Sequence, residues 1–147
     1  MSESMQLSLR AGERIYINGA VVRVNRKVTI ELLNEVAFLL EAHVLQADEA
    51  TTPLRQLYFV AQTILVDPLN AERNRAVFRD LHASTLASFS NEAIVASLAT
   101  VAEHVAAGHT FEALKAIRAL FATEAEILSR TDAPSPKATE AAVGASP

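Results

Sequence analysis

The chain has 147 residues, of which 50% are apolar, and it carries a net charge of −4. This length suits one ordinary domain with a hydrophobic core, or a small β-unit joined to a helical one, and it excludes two large domains. The lack of cysteine excludes disulfides, thiolate metal sites and cysteine nucleophiles. The net acidity argues against a protein that coats nucleic acid through bulk positive charge, but it leaves room for a local basic patch.

The N-terminal stretch MSESMQLSLR has no basic segment followed by an apolar core. No window of the chain approaches the roughly 18 apolar residues that a membrane-spanning helix needs. A reducing compartment is also compatible with the absence of cysteine. The sequence therefore predicts a soluble cytoplasmic protein that does not associate with membranes.

Residues 5–40 consist of short β-like runs separated by turn residues. Asn18-Gly19 lies between two β-branched runs and is a strong hairpin signal, because both central residues of the favoured turn need a positive φ. Five strands in so short a segment predict an antiparallel meander or a small barrel, within a β-unit that covers residues 1–50. The five runs are QLSLR, RIYIN, AVVRV, VTIELL and VAFLL.

Residues 51–130 show apolar side chains at helical spacing, which predicts a helical region packed on the β-unit. The first helix opens with the cap Thr52, and Gly108 ends the third. The four predicted helices cover 53–66, about 68–87, Ser90 or Asn91 to Gly108, and Thr110 to about 130. The predicted buried seam of the last one is Phe111, Leu114, Ile117, Phe121, Ala125 and Leu128.

The fold class is therefore α+β. Residues 131–147, TDAPSPKATEAAVGASP, are rich in Pro, Ala, Ser and Thr and contain Val143 as their one large apolar residue. Such a segment cannot bury enough surface to offset the entropy of ordering it. It is predicted to be a disordered tail.

Signatures of metal binding and catalysis are absent from the sequence. The histidines at 43, 82, 104 and 109 show no HxxxH or HExxH spacing, and His104 and His109 are expected to point in different directions. No glycine-rich phosphate loop or GxSxG motif is present. We expect no metal, no cofactor and no enzymatic activity.

Cations of the β-unit are candidates for contacts with nucleic acid. Arg14 and Tyr16 lie two apart on one strand and share a face, and a cation beside an aromatic ring can bind phosphate and stack on an unpaired base. A solvated sheet face is the alternative interpretation. Arg26 and Lys27 form the one adjacent basic pair and lie in a predicted turn, where phosphate could reach them. Arg10 and Arg23 complete this basic set.

Arg55 is a second candidate because its position is unfavourable for a cation. It lies in the first turn of its helix, near the positive end of the helix dipole, and shares a predicted polar face with Phe59 and Gln62. One interpretation pairs Arg55 with the carboxylate of Asp48 or Glu49. The other offers Arg55 and Phe59 together to RNA or to a partner protein.

Two long segments resemble the FlbT family of flagellar regulators from alphaproteobacteria, and the resemblance covers about residues 5–130. They are LSLRAGERIYINGAVVRVNRKVTIELLNEVAFLLE and TTPLRQLYFVAQTILVDP. The resemblance implies a post-transcriptional regulator that associates with the 5′ leader of flagellin messenger RNA and affects its translation or decay. It also implies the flagellar regulator FlaF as a partner, and it leaves open whether flagellin expression rises or falls.

The expected RNA-binding residues are Arg14, Tyr16, Arg23, Arg26, Lys27, Arg55 and Phe59. A protein-binding adaptor or chaperone-type module of flagellar assembly is the alternative function, with the helical half providing a groove for a partner helix. A homo-oligomer is compatible with either function.

Overall fold

The N-terminal part of the chain is one long β-hairpin that bends in the middle, with a fifth strand added to one half. A computed structural model describes residues 5–34 and 36–131. Its strands are β1 Met5–Leu9, β2 Arg14–Ile17, β3 Ala20–Arg23, β4 Val28–Leu32 and β5 Phe38–Leu40.

The two ladders of the hairpin share one register. β2 pairs with β3 from Ile17 opposite Ala20 to Arg14 opposite Arg23, around the predicted turn. β1 then pairs with β4, starting with Leu9 opposite Val28, at the same offset. Each arm therefore has the same number of residues between the ladders, 10–13 on one arm and 24–27 on the other. We call these two segments together the bend.

The turn at the hairpin tip has the predicted geometry, because Asn18 has φ 49° and Gly19 has φ 90°. The tip rests on the helical half. A Cβ added to Gly19 would lie 3.0 Å from the ring of Pro68, so a larger residue would disturb this contact.

The expectation of a meander is wrong, although the five strands and their antiparallel pairing are confirmed. In a meander β1 would pair with β2, whereas here β1 pairs with β4 and the three-stranded sheet has the order β3-β2-β5. The physical reason is that β1 and β2 continue one another along a single arm of the hairpin, as β3 and β4 do along the other.

A β-bulge produces the bend on the first arm. The Gly12 N–H donates to the Val24 carbonyl (2.7 Å), and the Val24 N–H donates to the Glu13 carbonyl (3.2 Å), so Gly12 and Glu13 together oppose Val24. One extra residue within 25–27 offsets this bulge, because Leu9 again pairs with Val28 at the original offset. Gly12 has φ 82°, which glycine adopts at low cost. The Glu13 N–H also donates to the Arg10 carbonyl (2.9 Å), closing a tight turn.

The described residues after β5 contain five α-helices, two of which begin at side-chain caps that the sequence suggested. Thr52 Oγ1 accepts a hydrogen bond from the Arg55 N–H, and the Asn91 side chain accepts one from the Ile94 N–H. The second helix begins later than predicted, after a 3₁₀ turn over Pro68–Asn70. The helices are α1 Pro53–Val66, α2 Ala71–Ala87, α3 Glu92–Ala106, α4 Thr110–Arg118 and α5 Phe121–Thr131.

Helix α1 lies at the centre of the main hydrophobic core. Its side chains Leu54, Leu57 and Ala61 are fully buried and contact side chains from the other helices and from β5. A smaller cluster around Leu9 and Ile15 fills the inside of the hairpin, and the rings of Phe38 and Phe111 stack at 5.3 Å to join the two clusters. This arrangement confirms the α+β class.

The last predicted helix is two helices, α4 and α5, and its buried face differs from the prediction. At the break the Leu120 N–H donates to the Ile117 carbonyl three residues earlier (2.9 Å), which is the spacing of a 3₁₀ turn. Beyond it the buried residues are Leu120 and Glu124, while Ala125 of the predicted seam is exposed. The apolar pattern misled the prediction because a carboxylate occupies the core face.

Glu124 is buried because it completes the N-terminus of α1. It is 1% exposed, its Oε2 accepts a hydrogen bond from the Leu54 N–H (2.8 Å), and its Oε1 accepts one from the Thr52 hydroxyl (2.5 Å). The first turn of α1 contains no acidic residue of its own. Glu124 therefore supplies from α5 the negative charge that stabilises a helix N-terminus.

Two further findings concern membrane-spanning helices and the C-terminal residues. Among the described residues, no helix is both long enough and apolar enough to cross a bilayer. The tail predicted over 131–147 lies outside the described residues, except that Thr131 is the last residue of α5.

Replacing Glu124 with alanine should destabilise the fold by about 3 kcal/mol or more, because two charge-assisted hydrogen bonds of about 1.5–3 kcal/mol each are lost and a buried N–H is left unpaired. Urea unfolding measures this change. Glu126→Ala is the matched control, since Glu126 is an exposed carboxylate of the same helix and should change stability by less than about 0.5 kcal/mol. Equal effects for the two variants would contradict this role.

Candidate RNA interface

The cations of the hairpin lie either in the bend or in the first residue pair of the adjoining ladder. Arg10 belongs to one bend segment, and Arg26 and Lys27 belong to the other. Arg14 and Arg23 lie directly opposite each other as the first pair of the adjoining ladder. Directly opposite residues of an antiparallel pair project from the same face of the sheet, so Arg14 and Arg23 share a face.

These cations are open to solvent. The Arg10 side chain is 87% exposed and the Arg14 side chain is 47% exposed. Arg23, Arg26 and Lys27 are also exposed. A ligand phosphate could therefore reach them without movement of the backbone.

Two carboxylates partly neutralise the cluster. Arg14 donates from its backbone N–H to Glu41 Oε1 (2.7 Å), and its guanidinium lies 3.4 Å from Oε2. The backbone hydrogen bond, aided by the charges of Arg14 and Arg10, lowers the pKa of Glu41. The Arg10 N–H bonds Glu13 in the same way (2.8 Å). Both interactions fix the backbone of the first arm, one at each end of the segment 10–13.

Arg23, Arg26 and Lys27 are the cations that remain available. Within residues 5–34 and 36–131, no carboxylate lies at ion-pair distance from any of the three. The first bend segment and the turn at Glu41 and Ala42 line an open cleft of about 490 Å³. The exposed positive charge that is not paired with a carboxylate of the described residues therefore lies mainly on the second arm.

Tyr16 shares a face with Arg14, as predicted, and this face packs against the helices. Ile15 is fully buried inside the hairpin, whereas Tyr16 is half-buried against the main core. Its ring is thus partly occupied by the fold. A stacking contact between Tyr16 and an RNA base stays a prediction.

Arg55 has a partner inside the protein, and among the described residues that partner is not a carboxylate. Its guanidinium lies 4.3 Å from the centre of the Phe121 ring in α5, and the expected pairing with Asp48 or Glu49 is not formed. The face shared with Phe59 is less polar than predicted, since Gln62 is only 4% exposed and its amide bonds both backbone groups of Leu45. Cation–π stacking explains why a cation is tolerated in this turn.

Arg55 and Phe59 lie on α1, and no contact within the described chain links them to the hairpin cations. Phe59 is half-buried. The structure thus brings Arg14, Arg23, Arg26 and Lys27 together and leaves these two residues elsewhere. Their contact with RNA stays a prediction.

A chain of buried polar groups that the sequence did not reveal joins the hairpin side to α4. Arg118 donates to the Tyr58 hydroxyl (3.0 Å), which donates to the His43 carbonyl (2.5 Å). Burial raises the pKa of Tyr58. Burial, together with the Arg118 charge, lowers the pKa of His43, whose buried Nδ1 has no hydrogen-bond partner among the residues that the structure describes.

The two histidines expected to diverge lie near each other. Gly108, with φ 84°, reverses the chain, and the rings of His104 and His109 come within 6.4 Å. Within the described part of the chain, no group of three or more potential ligands surrounds a metal position. Two rings alone do not make a metal site.

Comparison with known proteins decides the family. The family model described as flagellar protein FlbT matches residues 5–128. The chain belongs to the FlbT family. The resemblance seen in the sequence is thereby confirmed, and it includes both the bend and α1. No solved structure matches the chain.

Relatives in this family are similar over most of their length. A protein from Rhizobium leguminosarum bv. trifolii (strain WSM2304) is 52% identical over 134 residues, which is 91% of this chain and 90% of the relative. One from Agrobacterium fabrum (strain C58) is 52% identical over 132 residues, covering 90% and 89%. Both are named "Probable flagellum biosynthesis repressor protein FlbT".

The low pKa of His43 predicts a pH effect on stability. Below its usual pKa of 6.5, the unfolded chain binds a proton that the folded protein resists, so the contribution of neutral His43 is present above this value and is lost as the pH falls. The free energy of unfolding of the wild type minus that of His43→Asn should therefore decrease as the pH is lowered from about 7.5 to about 5.5, because asparagine does not titrate. A difference that stays constant across this range would contradict the prediction.

The stacking of Arg55 on Phe121 should appear as a coupling energy. A double-mutant cycle with Arg55→Ala and Phe121→Leu, followed by urea unfolding, should give about 0.5–1 kcal/mol, the usual value for a partly exposed cation–π pair. The cycle is needed because Arg55→Ala alone also removes an unfavourable charge from the helix start. Additive effects of the two substitutions would mean that the contact contributes nothing.

Proposed function

We propose that this protein regulates flagellum synthesis by binding the 5′ leader of flagellin messenger RNA, with the bend of its hairpin as the main contact surface. The observation that carries the proposal is the common register of the two ladders. It sets Arg10 on one arm at the level of Arg26 and Lys27 on the other, with Arg14 and Arg23 beside them. Without this alignment the cations would be scattered along two arms.

The chemistry of the bend suits an RNA backbone. Phosphate contacts by Arg and Lys supply most of the affinity of such complexes, and they need cations that are exposed and not already paired. Arg23, Arg26 and Lys27 meet this condition. Arg14, held by Glu41, would position the surface rather than add much charge.

The effect on the message would follow from occupancy. The chain offers no motif for cleaving RNA, so a change in message lifetime would require a cellular ribonuclease, and a change in translation would follow from blocked access to the leader. Family resemblance adds FlaF as a protein partner. The names of the relatives favour repression as the direction of the effect.

An adaptor that binds a partner helix is less well supported. Such a function needs a continuous apolar groove on the helices. Among the described residues, the large apolar side chains exposed on this half are Leu69, which is 96% exposed, and Val77, which is 48% exposed. Two separated side chains favour the RNA proposal over a groove.

Binding of a flagellin leader RNA by the purified protein, measured over a salt series, tests the proposal. The double variant Arg26→Ala/Lys27→Ala should bind about tenfold to a hundredfold more weakly, and the slope of log Kd against log salt should fall by about 1.4, because two phosphate contacts to a single strand are lost. The matched control is Arg73→Ala/Arg79→Ala, which removes two exposed cations from α2.

The control should bind like the wild type. Equal loss in both double variants would show that affinity comes from overall charge and not from the bend. Unchanged binding by Arg26→Ala/Lys27→Ala would exclude the bend as the contact surface.

A further inference from the structure

Strand β3 has one edge that nothing in the described chain covers. It is the end strand of the three-stranded sheet, in the order β3-β2-β5. All four of its residues are exposed, including Val21 at 59% and Val22 at 41%. Edge strands are commonly protected by lysine, proline or a covering segment, and β3 carries two adjacent valines at its centre instead.

The hydrogen-bonding groups on this edge belong to two residues. In an antiparallel ladder, pairs that exchange hydrogen bonds alternate with pairs that do not. The Val24 N–H bonds the Glu13 carbonyl, so Val22 and Ala20, two and four residues away, also face β2. The backbone N–H and C=O of Val21 and Arg23 therefore point away from the sheet.

These groups are self-complementary. If two β3 strands pair antiparallel about a twofold axis through Val22, Val21 of each copy lies opposite Arg23 of the other, and all four outward N–H and C=O groups on the two residues can bond across the axis. The two Val22 side chains meet in a pair without hydrogen bonds, where side chains are closest. Each Arg23 lies beside a valine, away from the other Arg23.

The side chains also favour a second copy over another kind of strand. Val21 and Val22 project from opposite faces, so β3 is apolar on both faces at its centre, as in a strand that lies inside a sheet. A second β3 presents the same pattern and covers both valines at once. The cation at the end of each strand stays at the margin, so the pairing buries no charge.

We propose that the protein forms a twofold dimer in which the β3 strands of two copies pair through their open edges, giving a continuous six-stranded sheet. The order of strands is β5-β2-β3-β3-β2-β5. The two bends lie at opposite ends of the central pair, so the dimer presents two basic surfaces. The proposal does not depend on RNA binding and is tested in its absence.

Sedimentation equilibrium of the full chain gives the first test. The wild type should show twice the chain mass of 15.8 kDa, and Val22→Lys should weaken self-association by at least about tenfold, because two ammonium groups would meet at the axis. Val77→Lys is the matched control, since Val77 is a similarly exposed valine on α2, and it should remain dimeric. A monomeric wild type at about 100 μM, or a Val22→Lys variant that dimerises like the wild type, would overturn the proposal.

Charge pairing tests the register and guards against simple misfolding of a variant. Val22→Lys and Val22→Glu should each be monomeric, and their mixture should form a heterodimer, because the twofold axis sets residue 22 against its own counterpart. If the mixture stays monomeric, the proposed axis is wrong. In this register Val21→Glu faces Arg23 of the other copy, so that variant should still dimerise on its own, and a monomeric Val21→Glu would likewise overturn the proposal.

Amide hydrogen exchange provides an independent measurement on the unmodified chain. The N–H groups of Val21 and Arg23 should become protected as protein concentration rises, whereas the Val22 N–H, which faces β2, should be protected at every concentration. Deleting residues 132–147 should leave the dimer unchanged. A monomer that becomes dimeric on this deletion would show that the C-terminal segment occupies the edge, and the proposal would fail.

Discussion

The hydrogen bonds that the buried Glu124 carboxylate accepts hold the helical half together at the start of α1. Through Thr52 and Leu54 it ties α5 to the first turn of α1, and α1 is the helix against which α2, α4 and β5 pack. Burying a carboxylate is costly unless hydrogen bonds compensate it, and here two donors do so. The position of α5 is thereby fixed by hydrogen-bond geometry, which is more directional than apolar packing.

The same interaction explains why Arg55 can occupy a helix start. A first turn usually gains from an acidic side chain of its own, often three residues after the cap, and in α1 that position holds Arg55. Glu124 provides the missing negative charge from another helix, while Phe121, one turn earlier on α5, accepts the guanidinium on its ring face. Helix α5 thus provides both an acceptor for the first turn of α1 and an aromatic ring for the cation in that turn.

The sequence predicted the features that depend on neighbouring residues, namely turns, helix caps and the alternation of faces along a strand. Asn18-Gly19 identified the hairpin tip, and Thr52 identified the start of α1. Of the two caps considered for α3, Ser90 and Asn91, the structure selects Asn91, and alternation along β2 separated Ile15 from Tyr16. Features that depend on distant partners were not predictable. The continuation of β1 into β2 required knowledge of the pairing with β4, and nothing in the sequence around Glu124 indicates that its hydrogen-bond donors lie at the start of α1. The cation set of the bend could be named from the sequence, but its alignment could not.

The shared register of the hairpin restricts which insertions and deletions the bend can accept during evolution. A single insertion or deletion in segment 10–13 would shift β1 by one residue against β4 and exchange the faces of the β1 side chains, which would bring Leu7 and Leu9 out of their cluster. Substitutions within 10–13 and 24–27 leave the register unchanged, although Gly12, Glu13 and Val24 keep structural roles. The other positions of the bend can therefore vary in charge and chemistry while its length stays fixed, unless both arms gain or lose a residue together.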